Sequence, residues 1–521
     1  MSYIETELKL KLLEPECWQQ MAETELLPVT GSVGAVKQDF LESQYYDTPS
    51  GQLQKAQMAY RIRMEEGQWL ATVKAGGISD GGLHRREEYT TVLTEQEPSV
   101  AVFLGTPAGE RLHKVIGKEP LEAIFATRFS RYKRDVTTVD GSCIELAIDL
   151  GEIIAGGQTE PICEVELELK AGHPSAVLTL GSELAKAFPL RVEPRSKYFR
   201  GLQLAGLQDE IEINSKPAAC QLQGTEPVLS VMPQFLTAIL IEVLNAEEMF
   251  LQNSQEPETL HRLRIHLRRL RAALSFAKPL LPADEYERYQ AELFQLGAAS
   301  GSLRQLDVAA QSWQGVLDSE LITVSGRLWL TDVLADERQA ALKEFANPLR
   351  GGSATAVYLG LWSWLANLME TAEIVKETSG KSLHAFISIR VCDWLEELLK
   401  TGESLDLTDP VSLHALRIRG KKLRYMLEAF SDQADNTGKL LGRLKKLQDG
   451  LGFMRDTQAT ALLLNEWLQT RSSRALHRDA GLLMGWQAHE MQNKQTEFWD
   501  DWQRFCKSAR KWLKKNSTKN K

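Results

Sequence analysis

The sequence predicts an α+β protein, an antiparallel β-barrel followed by an all-α, internally duplicated helical bundle. Three observations predict it. Up to about Gly201 short runs alternate apolar and polar residues with period two and are punctuated by glycine, a strand signal. After Val228 nearly every stretch has helical period. Two basic helices in that second half repeat one spacing of histidine, arginine and lysine, 153 residues apart.

At 521 residues the chain is too long for one ordinary domain. The composition and spacing divide it into residues 1–204, a polar linker at 205–227 that holds SKPAA and GTEP, a helical domain at 228–515 with two repeats, and a basic tail at 516–521. A net charge of −9 gives no global sign of nucleic-acid binding, so any basic surface must be local. The six cysteines are scattered without CxxC or zinc spacing, which fits a reduced cytoplasmic setting. The amino terminus is charged from Glu5 onward, unlike a signal peptide, and no uninterrupted apolar run reads as a bilayer span. The expected location is the cytoplasm, with no membrane partner.

The first strand, ETELKLKL, places Thr6, Leu8, Leu10 and Leu12 on one face and Glu5, Glu7, Lys9 and Lys11 on the other. A solvated outer face would explain any one such strand. The pattern recurs, however. YRIRM aligns Arg61 with Arg63, WLATVKAG aligns Thr72 with Lys74, and HRREEYTT aligns Arg86 with Glu88. FSRYKRD aligns Arg131 with Lys133, CIELAIDL aligns Glu145 with Asp149, and ICEVELELK aligns Glu164, Glu166 and Glu168. Each charged face has an apolar counter-face. Closing the strands into a barrel would turn the apolar faces outward against helices and leave a wet lumen in which opposite charges offset each other. Many cations suit a polyanion, and several carboxylates suit a hard divalent cation held through oxygen.

The ordered set Glu5-Thr-Glu7-Leu-Lys9, RIR, TVK, RREEY, the basic strand at Arg131–Lys133, IELAID, EVELE and RSKYFRG, with Lys197 and Arg200, resembles the CYTH family, the triphosphate tunnel metalloenzymes, over residues 1–204. The resemblance implies an antiparallel barrel whose tunnel binds triphosphates and usually hydrolyses them with Mg2+ or Mn2+. It implies phosphate binding by Lys9, Arg61, Arg63, Arg86, Arg131, Lys133 and Lys197, where the planar fork of arginine suits phosphate oxygens. It implies metal binding by Glu5, Glu7, Asp149, Glu164 and Glu166, directly or through water. Lys74 matches the family's lysine that assists the attacking water. As a base it would need a depressed pKa, and neighbouring cations would push it that way.

In the second half, LHRLRIHLRRLRAAL and LHALRIRGKKLRYML both begin Leu-His. His261, Arg264, Arg268 and Arg271 share the spacing of His414, Arg417, Lys421 and Arg424. GSLRQLD with Arg304 and GFMRDTQ with Arg455 follow each copy. Like charges at helical spacing cost roughly 0.2–0.5 kcal/mol per pair. A bound polyanion would offset that cost. The half from Val228 to Leu513 resembles the CHAD domain, which implies binding of inorganic polyphosphate by these eight residues. One departure is Leu303-Arg304-Gln305, where the family's pattern is Leu-Arg-Asp. The two-domain order resembles bacterial CYTH–CHAD inorganic triphosphatases. The implied activity is a phosphoanhydride hydrolase that converts inorganic triphosphate to pyrophosphate and orthophosphate. Alternatives are thiamine triphosphate or nucleoside triphosphate hydrolysis, adenylyl cyclisation, or a polyphosphate-targeted binding protein with little turnover. Aromatic residues are sparse within the basic stripes, which argues against nucleic acid as their partner.

Overall fold

The computed structural model describes residues 3–24, 28–208, 226–319, 328–374, 382–407, 409–431, 437–471 and 473–517. The expected linker and basic tail lie largely outside these residues. The chain divides into two compact units, Met1–Ser215 with Pro348–Asn367, and Lys216–Asn347 with Leu368–Lys521.

The first unit contains ten described strands: β1 (Tyr3–Leu12), β2 (Thr30–Val33), β3 (Lys37–Asp47), β4 (Met58–Glu65), β5 (Gln68–Asp80), β6 (Leu83–Leu93), β7 (Glu122–Thr138), β8 (Cys143–Ala155), β9 (Gln158–Ala171) and β10 (Leu190–Val192). Eight of them close a ring in the order β1-β6-β5-β4-β3-β7-β8-β9, and the β1–β9 pairing completes it. β10 pairs with β1, and β2 pairs with β7, outside that ring. Every pairing is antiparallel. Tight turns fix the register. Gly81 and Gly82 join β5 to β6 with φ of 49° and 85°, the left-handed pair that matches strand twist. A side chain at Gly82 would also meet Val192 Cγ1 at 2.4 Å.

Both faces of β1 are buried: Leu8, Leu10 and Leu12 on one, Glu5, Glu7 and Lys9 on the other. A two-sided core of this kind is what a closed barrel with covered walls requires. The helix Pro174–Ala187 lies against the apolar face, where a side chain at Gly181 would meet Leu8 and Leu167. Tyr60, Ile62, Val73, Tyr89, Phe103 and Leu112 form a second layer outside β4–β6. Segment Pro348–Asn367 joins this unit through Ser182 Oγ, which donates to the Ala356 carbonyl at 2.8 Å.

The second unit is helical. The 153-residue offset carries Pro257–Ala277 onto Pro410–Ala429, and Val228–Gln252 onto Leu383–Glu403, each to within two residues. It also carries Ala283–Ala299 and Gly301–Leu317, parted at Ser300, onto the single helix Thr437–Thr470. Both basic helices start with proline at the first position, where its missing N–H costs nothing. Asp409 caps the second by accepting from the backbone of Val411 and Ser412.

Contrary to the sequence expectation, one described helix is long and apolar enough to cross a membrane by length and composition. It is Val228–Gln252, and 56% of its apolar window is buried inside the protein. The reason lies in its packing. Its apolar residues serve a protein core, and its Glu242 accepts from Arg269 Nη1 at 2.9 Å while lying 3.1 Å from His266 Nδ1. These are the signs of a core helix.

Candidate active site

The barrel encloses a cavity of about 670 Å3. All seven expected phosphate ligands, Lys9, Arg61, Arg63, Arg86, Arg131, Lys133 and Lys197, line it. Glu5, Glu7, Glu166 and Lys74 line it too. Strand register produces the gathering. Glu5 stands opposite Arg86, Lys74 opposite Glu88, and Lys9 opposite Glu166. Lys197 and Arg200 come instead from the helix Lys197–Leu204, three residues apart and so on one face. That helix is capped by Ser196, whose hydroxyl accepts from the Phe199 N–H.

Asp149 and Glu164 do not reach the cavity wall. They lie behind it and hold cations in place. Both oxygens of Asp149, fully buried, accept from Arg131 Nε and Nη2 at 2.7 Å, and Asp149 also pairs with Lys197 at 2.8 Å. Glu164 pairs with Lys197 at 2.7 Å and with Arg200. Glu166 reaches the wall and pairs with Lys9, Arg131 and Lys197. Burial alone would raise Asp149 and Glu166, but these cations overcome it and hold both carboxyls below their usual range. The same acids hold Arg131 and Lys197 charged against the cost of burial.

Two groups are less well compensated. Burial, with Glu166 nearby, pushes the Glu7 carboxyl up to about 8. Burial, with Arg61 and Arg131 nearby, lowers Arg63 to about 10. The cavity thus keeps an acid that would gain from a cation and a cation that would gain from an anion.

Among the described residues no group of three or more His, Cys, Asp or Glu is gathered as a metal cage. The donor chemistry on the wall nevertheless fits a hard divalent ion. Glu5 and Glu7 offer oxygen on one strand face, and Glu7 lacks sufficient positive charge to offset its burial.

Lys74 differs from expectation. Its ammonium pairs with Glu5 at 2.7 Å and Glu88 at 2.9 Å. Burial would lower its pKa, but Glu5 and Glu88 outweigh burial and raise it. The register across β6 puts carboxylates, rather than the arginines, closest to it.

Sequence reading passed over the wall residue Phe129 and, beside the wall residue Arg86, the buried His84. Phe129 is a buried platform with Lys197, Arg131 and Arg63 over its ring at 5.2, 5.6 and 5.8 Å. Its parity with Arg131 and Lys133 was the available signal. His84 is buried, with its Nδ1 3.1 Å from Arg86 Nη2. Because arginine only donates, Nδ1 accepts and the proton sits on Nε2. Burial, Lys9 and Arg86 hold this imidazole down to about 2 and therefore neutral.

The helical unit has a second cavity, of about 730 Å3. His261, Arg264, Arg268, Arg271, His414, Arg417 and Lys421 line it, with Arg304, Lys422 and Arg455. Arg424 does not line it; its guanidinium lies over Tyr425 at 5.3 Å. Asp456 is the one acid among the described lining residues. Burial and Arg268 lower Arg264 to about 10, and burial and Arg417 lower Lys421 to about 6. His261 and His414 are lowered by burial and by Arg304 and Arg455 respectively. Arg264 Nε, Arg417 Nε and His261 Nδ1 are buried without hydrogen-bond partners. Gln305, which departs from the expected acid, donates to the Ala459 carbonyl at 2.8 Å. The cleft holds positive charge that the protein leaves largely unbalanced.

Comparison with known proteins follows the same division. The CYTH domain model matches residues 3–202 and the CHAD domain model matches residues 234–465. A relative named inorganic triphosphatase, from Haemophilus influenzae, is 36% identical over 170 residues, which is 32% of this chain and 47% of the relative. The match therefore spans about half of that relative's length. Among solved structures, the CHAD domain from the plant Ricinus communis is similar at 25% identity and a TM-score of 0.47, covering 56% of this chain and 97% of that one. A putative adenylyl cyclase from Hippeastrum, described as having a dominant triphosphatase activity, is similar at 20% identity and a TM-score of 0.29, covering 40% and 99%. In chain order, then, a CYTH domain is followed by a CHAD domain.

Proposed function

We propose that the barrel hydrolyses inorganic triphosphate to pyrophosphate and orthophosphate with Mg2+ or Mn2+, and that the helical unit binds inorganic polyphosphate. The observation that carries the first part is the pairing of needs in one cavity. Glu7 sits 2.9 Å from Lys9 and Arg63 3.8 Å from Glu65 on the wall of one cavity, and burial still raises the pKa of the first and lowers that of the second. A metal-bound phosphate chain meets both needs. The 36% identity to a relative named inorganic triphosphatase supports that substrate. The dense positive wall of the helical cleft supports a polyanion there, and the expected setting is the cytoplasm.

In this reading Arg61, Arg63, Arg86 and Arg131 hold phosphate oxygens, and Lys9, Lys133 and Lys197 add point charges. Asp149 and Glu164 keep Arg131, Lys197 and Arg200 fixed, so that catalysis rests on positioning and charge neutralisation. Glu5 and Glu7 hold the metal, with Glu166 at the far side of Lys9. When bound, the ion neutralises phosphate charge and makes water a better nucleophile. Lys74, held protonated by Glu5 and Glu88, orients water or phosphate as a donor. The same pairing favours a second reading, a barrel that holds triphosphate with little turnover, because it leaves Lys74 unavailable as a base.

One phosphate-release screen separates the readings. Inorganic triphosphate, longer polyphosphates, thiamine triphosphate and ATP are each assayed with and without metal, and products are identified. Metal-dependent orthophosphate and pyrophosphate from inorganic triphosphate is the expected result. Pyrophosphate released from ATP would indicate a cyclase, and tight triphosphate binding without release would indicate the binding role.

A further inference from the structure

We infer that the basic cleft of the helical unit takes a nucleoside polyphosphate, with the phosphates on the Arg264–Arg417 wall and the base against Phe294. The inference rests on the reading of this cleft as a phosphate-chain site and adds an aromatic subsite to it.

A bare phosphate chain has no apolar surface, so a cleft made for it alone needs no apolar wall. This one has such a wall. Phe294 and Ile418 both line it and are 50% and 40% exposed. Phe294 is held ready for stacking on one side. The Arg271 guanidinium sits over its ring at 4.9 Å. Arg271 is itself fixed, because its Nε donates to Gln290 Oε1 at 3.3 Å and its carbonyl accepts from Gln290 Nε2 at 2.8 Å.

Along the same wall Gly297 and Gly301 face open space, with nothing within 4 Å of an added Cβ. The result is a shelf that begins at Phe294 and, among the lining residues, carries only the Ala298 methyl between its two glycines. At its other end Arg264 Nη1 donates to the Gly297 carbonyl at 2.9 Å and to Ser300. From Phe294 to Gly301 the chain rises about 10 Å, which suits a base and ribose laid flat with the phosphates at Arg264. The cavity volume of about 730 Å3 lies in the range of organic-ligand sites. Asp456, which repels a bare chain, can accept from a ribose hydroxyl.

The duplication supplies an internal control. Counted from Arg304 and Arg455, Phe294 corresponds to Lys445, and at the 153-residue offset it corresponds to Leu447, neither of them aromatic. The second copy does contribute an aromatic residue to the lining, Tyr425, but that ring is buried, and Phe294 is the aromatic lining residue exposed for stacking.

The test uses the full chain carrying Arg61→Ala and Arg63→Ala to weaken the barrel site. It is titrated with ATP and with inorganic tripolyphosphate, without metal, at one ionic strength. The readout is the ratio of the two dissociation constants. Phe294→Ala should shift that ratio about tenfold against ATP, the scale of one base stacked on an aromatic ring, and leave tripolyphosphate affinity unchanged. Photolabelling with 8-azido-ATP should mark peptides from Ala283–Ala299. An unchanged ratio, or labelling confined to other segments, overturns the nucleoside subsite. Failure of tripolyphosphate to bind the cleft at all overturns the underlying anion reading instead.

Discussion

The Lys74 ammonium lies 2.7 Å from the Glu5 carboxylate although β6 runs between their strands. Glu88, on that intervening strand, lies 2.9 Å from the same nitrogen. Three strands thus deliver one cation and two acids to one point of the lumen. The arrangement follows from parity alone, because Glu5, Lys74 and Glu88 all occupy inward positions of adjoining strands.

Glu5→Gln keeps the side-chain volume and removes one charge. Triphosphate turnover is expected to fall at least about a hundredfold, since a charge that positions the metal is lost. The thermal midpoint should move little, because Glu88 still holds Lys74. Orthophosphate release measured across metal concentrations, beside a melt, checks both. A chelator should reproduce the loss in the native protein. Full activity at low metal would remove Glu5 from the site.

Lys74→Ala tests the role of the ammonium. A donor that orients the reacting groups in the transition state predicts a fall in kcat with KM nearly constant. A rise in KM with kcat preserved would make Lys74 one more ground-state phosphate contact. Steady-state kinetics on inorganic triphosphate separates the two.

Asp149→Asn removes a buried acid that holds Arg131 and Lys197. Leaving buried cations with a neutral partner is expected to cost about 3–5 kcal/mol, more than any change at Glu5. Urea unfolding of the variant should show it. Triphosphate KM should rise as well, because both cations lose the partner that fixes their direction.

Lys421 gives the pH dependence. Its ordinary pKa is 10.5, and burial with Arg417 and Arg268 lowers it to about 6 in the folded protein. Between those values the unfolded chain holds a proton that the folded chain has released. Native stability from this residue therefore rises with pH across that window, and is lowest below about 6. A bound polyanion reverses the penalty, so binding takes up a proton near pH 7.5 and affinity falls as pH rises. Calorimetry of polyphosphate binding in two buffers of different ionisation heat should show roughly one proton taken up. Lys421→Arg should reduce the uptake to what His261 and His414, lowered in the same cleft, contribute. Equal heats in both buffers for the native protein would show that Lys421 is not in the anion path.

Much of the barrel was legible because a strand's period of two assigns every residue to one face. ETELKLKL, YRIRM and FSRYKRD each told which side chains would share a surface, and Glu5, Arg61 and Arg131 do share the lumen. Depth was not legible. Asp149 and Glu164 have the parity of lumen residues but stand behind the cations, because Arg131 and Lys197 reach across them. The direction of the Lys74 shift was also hidden, since strand order puts Glu88 beside it and parity says nothing of order. In the helical unit the matched spacing of His261 and His414 revealed the duplication, and the 153-residue offset reappears in the helix bounds. Phe294 escaped that reading because it sits on a different helix from either basic stripe. The apolarity of Val228–Gln252 was underestimated because Glu242 interrupts it, while its pairing with Arg269 makes the charge tolerable in a core.

The duplicated helices carry a consequence for orientation. Inorganic polyphosphate reads the same from either end, and a cleft lined by matched residues from two copies offers it two equivalent ways to lie. Arg264 and Arg417 then serve interchangeably as head and tail. Phe294 has no aromatic counterpart, so it ends that equivalence. A molecule with one distinct terminus would lie in one direction only, and the cleft would acquire an entrance and an exit.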